Sequence, residues 1–364
     1  MKKIKRIIQE ILAIKFVRSI VTTWNRYFLS LVSSNRLFAT IYSLINPITF
    51  NREQYALLRG RAQYYRNLSK VQSSNVRLRR NTHRLEKGLS MEPRRNSFAL
   101  EYIDETIESY ESIIAALLSN HVTIDECELL WATDVLEAYF SAVQLTPRLK
   151  QLQTRFKNAK KIANLKKSAT TRAPFQRKKS PPNRVDYNDL LQLSLRRRSV
   201  RWFEDRSVPR ELIDKALMVA RQSPSACNRQ PFEYRFYDDP KLVRNISSLP
   251  FGAGGYSHNI PVICVVVGKQ ENYFSSRDRH VIYIDSSLSI MAFMFALETL
   301  GLASCPINWP DFEPLEIKMQ NTLGLQAYER PIMLIAVGYP REDGVIPFSE
   351  KKPLHTIRSF NKIT

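Results

Sequence analysis

Cysteine and glycine are scarce in this chain of 364 residues, with four of the first and ten of the second. Cys127, Cys227, Cys264 and Cys305 lie far apart, form no CxxC pair and have no histidine at ligand spacing. That argues against a zinc site or disulfide framework and for a reducing compartment. So few glycines exclude collagen-like and low-complexity architectures. No glycine-rich dinucleotide fingerprint joins a predicted strand to a helix, since Gly252, Gly254 and Gly255 cluster without a feeding strand. A nucleophile elbow and an HExxH motif are also missing, which removes support for classical hydrolase chemistry. The opening stretch MKKIKRIIQEILAIKFVRS has no uninterrupted apolar run, because Gln9, Glu10, Lys15 and Arg18 break it. Neither a signal-peptide core nor a bilayer span is predicted there, and the expected protein is cytoplasmic, soluble or peripheral.

What is present divides the chain by charge. Residues 1–185 hold 33 basic and 14 acidic side chains, whereas residues 186–364 hold 22 and 20. At 44% hydrophobic the chain is apolar enough to fold, and its length suits two domains. Over 1–50, Ile4, Ile7, Ile8, Ile11 and Leu12 share a helical face beside Lys2, Lys3, Lys5 and Arg6, and aromatic residues such as Trp24 continue the pattern. This basic amphipathic segment suits either an anionic membrane interface or packing against protein. Residues 51–149 form a helical module, with 52–120 and 125–145 predicted as helix. A basic linker is expected over 150–185, since 150–184 contains 12 Lys or Arg and no Asp or Glu. Nucleic acid, membrane phosphates and plain solvation all suit that run; without a nucleic-acid motif, a solvated tether is favoured.

From 186 onward the periodicity predicts a helix over 186–197 and another opened by Pro209 and running through Arg221. Strands are predicted at 232–237, 261–268 and 332–338, with an almost wholly apolar helix at 285–302. That helix suits either a dimer core or an intrachain core. Helices and strands mix without a regular βαβ repeat, so the fold class is α+β.

Two clusters carry chemistry. Arg197, Arg198, Ser199 and Arg201 place forked donors and a hydroxyl on a short arc, which suits a phosphate or an anion developing on a ring. The turn PSACNRQP presents Ser225, Asn228 and Gln230 between two stiffening prolines, a match for a flat heterocycle with alternating donors and acceptors. Taken together and in order, RRSVRWF, VPRELIDKALMVARQSPSACNRQPF, NIPVICVVVG, LGLASCPINW, PIMLIAVGYPRED and SEKKPL resemble the FMN-dependent nitroreductase family over roughly 187–358.

The resemblance implies a nitroreductase-like mixed sheet flanked by helices, following the mainly helical N-terminal module. It implies FMN as cofactor, NADH or NADPH as reductant, a small-molecule acceptor in ping-pong order, and a homodimer whose sites borrow residues from both chains. Arg197 and Ser199, with Arg198 beside them, are implied at the FMN phosphate and ribityl chain. Arg201 is implied beside the pyrimidine edge, where reduction places negative charge. Ser225, Asn228 and Gln230 are implied along the ring and ribityl chain, Pro306, Ile307 and Asn308 at the N5 edge, and Lys351 near the phosphate. Two departures stand out. Many relatives carry Glu-Gly where this chain has Asn308-Trp309, and many carry arginine at the position of Lys351, which offers a point charge instead of a fork. No side chain is implied as an acid–base catalyst.

Residues 79–98, RRNTHRLEKGLSMEPRRNSF, resemble an extension on nitroreductase-like proteins encoded with surface-polysaccharide genes. His83 and Glu86 are spaced to meet on one helix, either as part of a second site or, as base rates favour, as a packing contact. The expected activity is NAD(P)H-dependent reduction, with an envelope or glycan intermediate among the acceptors. Other reactions of the same fold, such as dehalogenation, dehydrogenation or flavin cleavage, and a non-catalytic flavin-binding or membrane-recruiting scaffold are the alternatives.

Overall fold

The computed structural model describes residues 15–45, 50–68, 75–119, 125–165 and 170–363. The predicted helical face of Ile4, Ile7, Ile8, Ile11 and Leu12 lies outside the described residues. Two compact units form, one of residues up to Tyr55 with Asp311–Glu316, the other of Ala56–Pro310 with Ile317–Thr364.

In the first unit, α1 (Lys15–Val32) and α2 (Arg36–Ile45) meet through Phe28, whose ring lies 5.7 Å from Trp24 and 5.9 Å from Tyr42. Arg52, near the start of α3 (Phe50–Asn67), forks onto Glu313 at 2.6 and 2.7 Å. Phe16, Trp24, Tyr27 and Leu31 on α1 and Leu37, Leu44 and Ile45 on α2 are exposed, Trp24 at 66%.

The second unit opens with a helical bundle of α4 (Val76–Leu89), α5 (Ile103–Ser119), α6 (Glu126–Ala142) and α7 (Pro147–Ala163). Asn75, Asp125 and Thr146 cap the starts of α4, α6 and α7 by accepting hydrogen bonds from backbone amides. Leu78, Leu85, Ile107, Leu136, Leu149 and Phe156 interlock in one buried core. Tyr110, within it, shares a 2.8 Å hydrogen bond with Thr133, and burial pushes its phenol up to about 12.

Two expectations need correction here. The helix predicted over 52–120 breaks at 90–102, where Pro93 has no amide to donate and disfavours helix at Glu92. The linker expected from 150 instead begins as the body of α7. Its lysines and arginines lie outward, while Leu149, Leu152, Phe156 and Ala159 face the bundle at helical spacing.

Residues 186–363 form the α+β part. The sheet has strand order β1-β2-β4-β3, from β1 (Phe232–Tyr237), β2 (Val262–Lys269), β3 (Ala303–Asn308) and β4 (Glu329–Gly338). All three pairings are antiparallel; a parallel bridge between Ser199 and Ser304 makes the sheet mixed at its edge. On one face lie α9 (Arg210–Ala220) and α11 (Val281–Thr299), burying Ile213, Ala216, Ile290, Phe293 and Leu297 against Cys264, Val266 and Ile335. α10 (Pro240–Ser247) packs on β2 as well. β2 reads as a continuous VICVVVG run because both its faces are covered. The apolar α11 turns one side inward through Ile290, Phe293 and Leu297 and leaves Ile284 and Leu288 exposed.

Glu271, just past β2, is half-buried as a residue, yet its Oε2 is shut off from solvent without a hydrogen-bond partner among the described residues. Burial pushes this carboxyl up to about 7 from 4.5. The native state therefore keeps a proton that the unfolded chain releases, so stability falls as pH rises through 4.5 to 7. Glu271→Gln is expected to raise stability at pH 8 by on the order of 2–3 kcal/mol relative to wild type, with little change at pH 4, in denaturant titrations at both pH values.

Candidate functional site

The first sequence cluster follows α8 (Tyr187–Arg196), which Asp186 caps. Beyond the helix the chain runs extended along the free side of β3. The Val200 amide donates to the Ser304 carbonyl at 3.1 Å, Glu204 to Tyr339 at 2.9 Å, and Arg341 back to Trp202 at 3.1 Å. Gly338 permits this approach, because a Cβ there would stand 2.6 Å from Pro261 Cγ and 2.7 Å from the Phe203 ring. Arg197, Arg198, Ser199 and Arg201 are half-buried. The Arg201 carbonyl accepts a 2.8 Å hydrogen bond from Asn259, and its guanidinium lies 5.6 Å from the centre of the Tyr256 ring. Cys305, 3.8 Å from the Tyr256 hydroxyl, carries a thiol pushed up by burial and drawn back by Tyr256, Arg201 and Arg197. Pro306, Ile307 and Asn308 follow on the same strand, respectively half-buried, buried and exposed.

Two atoms here are conspicuous. Arg197 Nε and Ser304 Oγ are shielded from solvent and have no hydrogen-bond partner among the described residues. Unsatisfied buried donors are costly, about 1–3 kcal/mol each, and a bound ligand is one way of meeting that cost. A guanidinium fork and a hydroxyl fit a phosphate or a polar ring edge.

The second cluster lies between α9 and β1. The Ser225 hydroxyl accepts from the Gln230 amide at 3.1 Å, and the Ala226 amide donates to Asp285 on α11 at 2.9 Å. Asp285 is a buried acid on a largely apolar helix; burial raises its carboxyl, which the Ala226 amide and Arg229 hold back. Cys227, Asn228 and Gln230 have φ of 55°, 51° and 48°. Left-handed backbone at non-glycine residues costs on the order of 1–3 kcal/mol each and persists only where the surroundings enforce it. Gln230 spends its side chain on the protein, donating to the Arg221 carbonyl at 3.3 Å and accepting from Arg79 at 3.3 Å.

The two clusters do not meet within one chain. The second docks on Asp285, near the start of α11, while Arg196 and Arg197 act on Glu298 near its end, the former at 3.6 Å. At about 1.5 Å per residue those positions are roughly 20 Å apart along the axis. Lys351 sits in an exposed C-terminal tail. His83 Nδ1 lies 3.3 Å from Glu86, whose other oxygen accepts from the Trp131 indole at 2.9 Å, so the pair forms part of the α4–α6 packing. Sequence reasoning passed over Asp285, Ser304, Asn259 and Arg79; of these only Asp285, the single charge in the first four turns of α11, left a local signal.

The Nitroreductase family model matches residues 195–253 and 250–339. Iodotyrosine deiodinase 1 of Pongo abelii is 23% identical over 197 residues, covering 46% of this chain and 67% of that protein. A Methanothermobacter thermautotrophicus protein provisionally described as an NADH dehydrogenase/NAD(P)H nitroreductase is 27% identical over 164 residues, 44% of this chain and 82% of its own length. Among solved structures, an FMN-dependent nitroreductase from Clostridium difficile R20291 aligns with 22% identity and a TM-score of 0.42, over 48% of this chain and 99% of that one. The C-terminal half of the chain carries a nitroreductase-family domain.

Proposed function

We propose that this domain is an FMN-dependent oxidoreductase that takes reducing equivalents from NADH or NADPH and passes them to a small-molecule acceptor. The observation that carries the reading is the pair of shielded, unpartnered donors, Arg197 Nε and Ser304 Oγ, inside a nitroreductase-family domain. Arg197 and Ser199, flanked by Arg198, hold the phosphate and ribityl chain. Arg201, fixed through Asn259 and Tyr256, holds a positive charge beside the ring's pyrimidine edge. Buried Ile307 and Trp309 exclude water from the reacting edge. FMN, when bound, supplies the hydride and electron chemistry.

The active form in this reading is a homodimer. The 225–230 loop of one copy completes the arginine cluster of the other, which a single chain holds roughly 20 Å apart by helix rise. Exposed Tyr187, Leu190 and Leu195 on α8 and a largely apolar cavity of about 670 Å³ along α11, lined by Tyr283, Ile284, Leu288 and Met291, suit a second copy as occupant. The exposed tail carrying Lys351 belongs to the same interface.

Anaerobic NADH or NADPH added to the FMN-loaded protein is expected to bleach the flavin absorbance, and a nitroaromatic acceptor to restore it. Bound flavin that stays yellow with both would instead favour the scaffold reading. Reductive dehalogenation is a second reading, favoured by relatives named iodotyrosine deiodinase; restoration of colour by iodotyrosine but not by the nitroaromatic would select it.

We also propose that α1 and α2 lie on an anionic membrane surface. Residues 1–50 hold eight Lys or Arg against one Glu in sequence, and Phe16, Trp24, Tyr27 and Leu31 on α1 are exposed. The full chain is expected to float with phosphatidylglycerol vesicles and not with phosphatidylcholine alone, with Trp24→Ser weakening the partition. Indifference to both vesicles would overturn the membrane assignment.

A further inference from the structure

Arg79 belongs to the helical module, yet it reaches the strained loop of the candidate site. Its Nε donates to the Asn228 carbonyl at 2.6 Å and its Nη2 to Gln230 Oε1 at 3.3 Å. The third arm, Nη1, is tied to Glu128 Oε2 at 2.8 Å. Glu128 is itself nearly inaccessible and accepts at its other oxygen from the Asn75 amide at 2.9 Å, where α4 begins. The guanidinium also lies 5.5 Å from the centre of the Trp131 ring. All three nitrogens are thus committed, two to the loop and one to the bundle. A planar fork with five donors in fixed geometry can do this, and an ammonium cannot.

From this geometry we infer that Arg79 is a positioning residue, through which the N-terminal helical module sets the backbone of the 225–230 loop and hence its affinity for the flavin. Asn228, whose carbonyl Arg79 holds, is left-handed, as are Cys227 before it and Gln230 two residues on. Such backbone relaxes when its external restraint goes. Gln230 is turned toward Arg79 and the Arg221 carbonyl, so its side chain acts on the loop's shape. The helical module is then a working part of the site, although the family model begins only at residue 195. The effect on flavin rests on the function proposed above; the effect on the loop does not.

The test compares wild type with Arg79→Met, Arg79→Lys and Glu128→Gln in the full chain, by FMN titration and by hydrogen exchange at the amides of 225–230 without flavin. Loss of a charge-assisted bond to the loop is expected to weaken FMN binding about 10- to 100-fold in Arg79→Met. The loop amides are expected to exchange faster while those of β2 and β4 stay protected. Arg79→Lys, with charge but no fork, should lie between, and it carries the comparison if Arg79→Met does not fold. Unchanged loop exchange in Arg79→Met, or in Arg79→Lys if only that variant folds, would overturn the inference whatever the flavin result. So would loss of FMN only in step with global unfolding. If wild type itself takes no FMN, the flavin reading fails, and the exchange data alone still decide whether Arg79 holds the loop.

Discussion

Arg197→Met is expected to weaken FMN binding about 100-fold without lowering the melting temperature of the flavin-free protein. A guanidinium–phosphate fork contributes two charge-assisted hydrogen bonds, each worth about 1.5–3 kcal/mol, so even at the low end its loss costs about two powers of ten in affinity. The flavin-free protein has the opposite interest in this side chain. Its Nε is buried without a partner among the described residues, a burden that Met removes while filling much of the same volume. Weaker support for the burial-raised Glu298 carboxyl offsets part of that gain. The measurement is a flavin-fluorescence titration beside a thermal melt. A melting temperature that drops along with affinity would make Arg197 an ordinary structural residue.

Phe293→Ala is expected to cost about 3–5 kcal/mol of stability, the usual range for a large aromatic removed from a packed core. Phe293 is fully buried, with ring centres 5.4 Å from Tyr234 and 5.8 Å from Phe236 on β1, and it joins α11 to the sheet. At about 2–4 °C per kcal/mol for a domain of this size, the melting temperature should fall by roughly 10 °C. Because α11 also carries Asp285 and Glu298, flavin affinity should weaken in the same variant. A loss below about 1 kcal/mol would contradict the placement of α11 on the sheet.

Three of the four strands were legible in local composition; β3, with Pro306 inside it, was not predicted. β1 occupies 232–237, where alternation marked it; β2 lies within one residue of the predicted run, and β4 contains its run but starts three residues earlier, because covering both faces of a strand demands such composition. Pro209 stands at the mouth of α9 for the same local reason. What failed was charge read without period. The lysines of α7 suggested a tether, yet four apolar positions on one face bury that helix. The site was half legible. Both clusters could be named from residue type, but not that they lie at opposite ends of α11, since spacing in sequence carries no distance across a helix from another part of the chain. Arg79 and the Asn228 carbonyl are 149 positions apart, and no periodicity in either segment announces the contact.

Whether this chain holds a flavin is read from the absorbance spectrum of the purified protein, as isolated and after reconstitution with FMN. Flavin bands that stay with the protein through gel filtration, bleached by NADH or NADPH without oxygen, are the expected result. A colourless protein that takes up no FMN would rule out the flavin and leave the arginine cluster to some other anion.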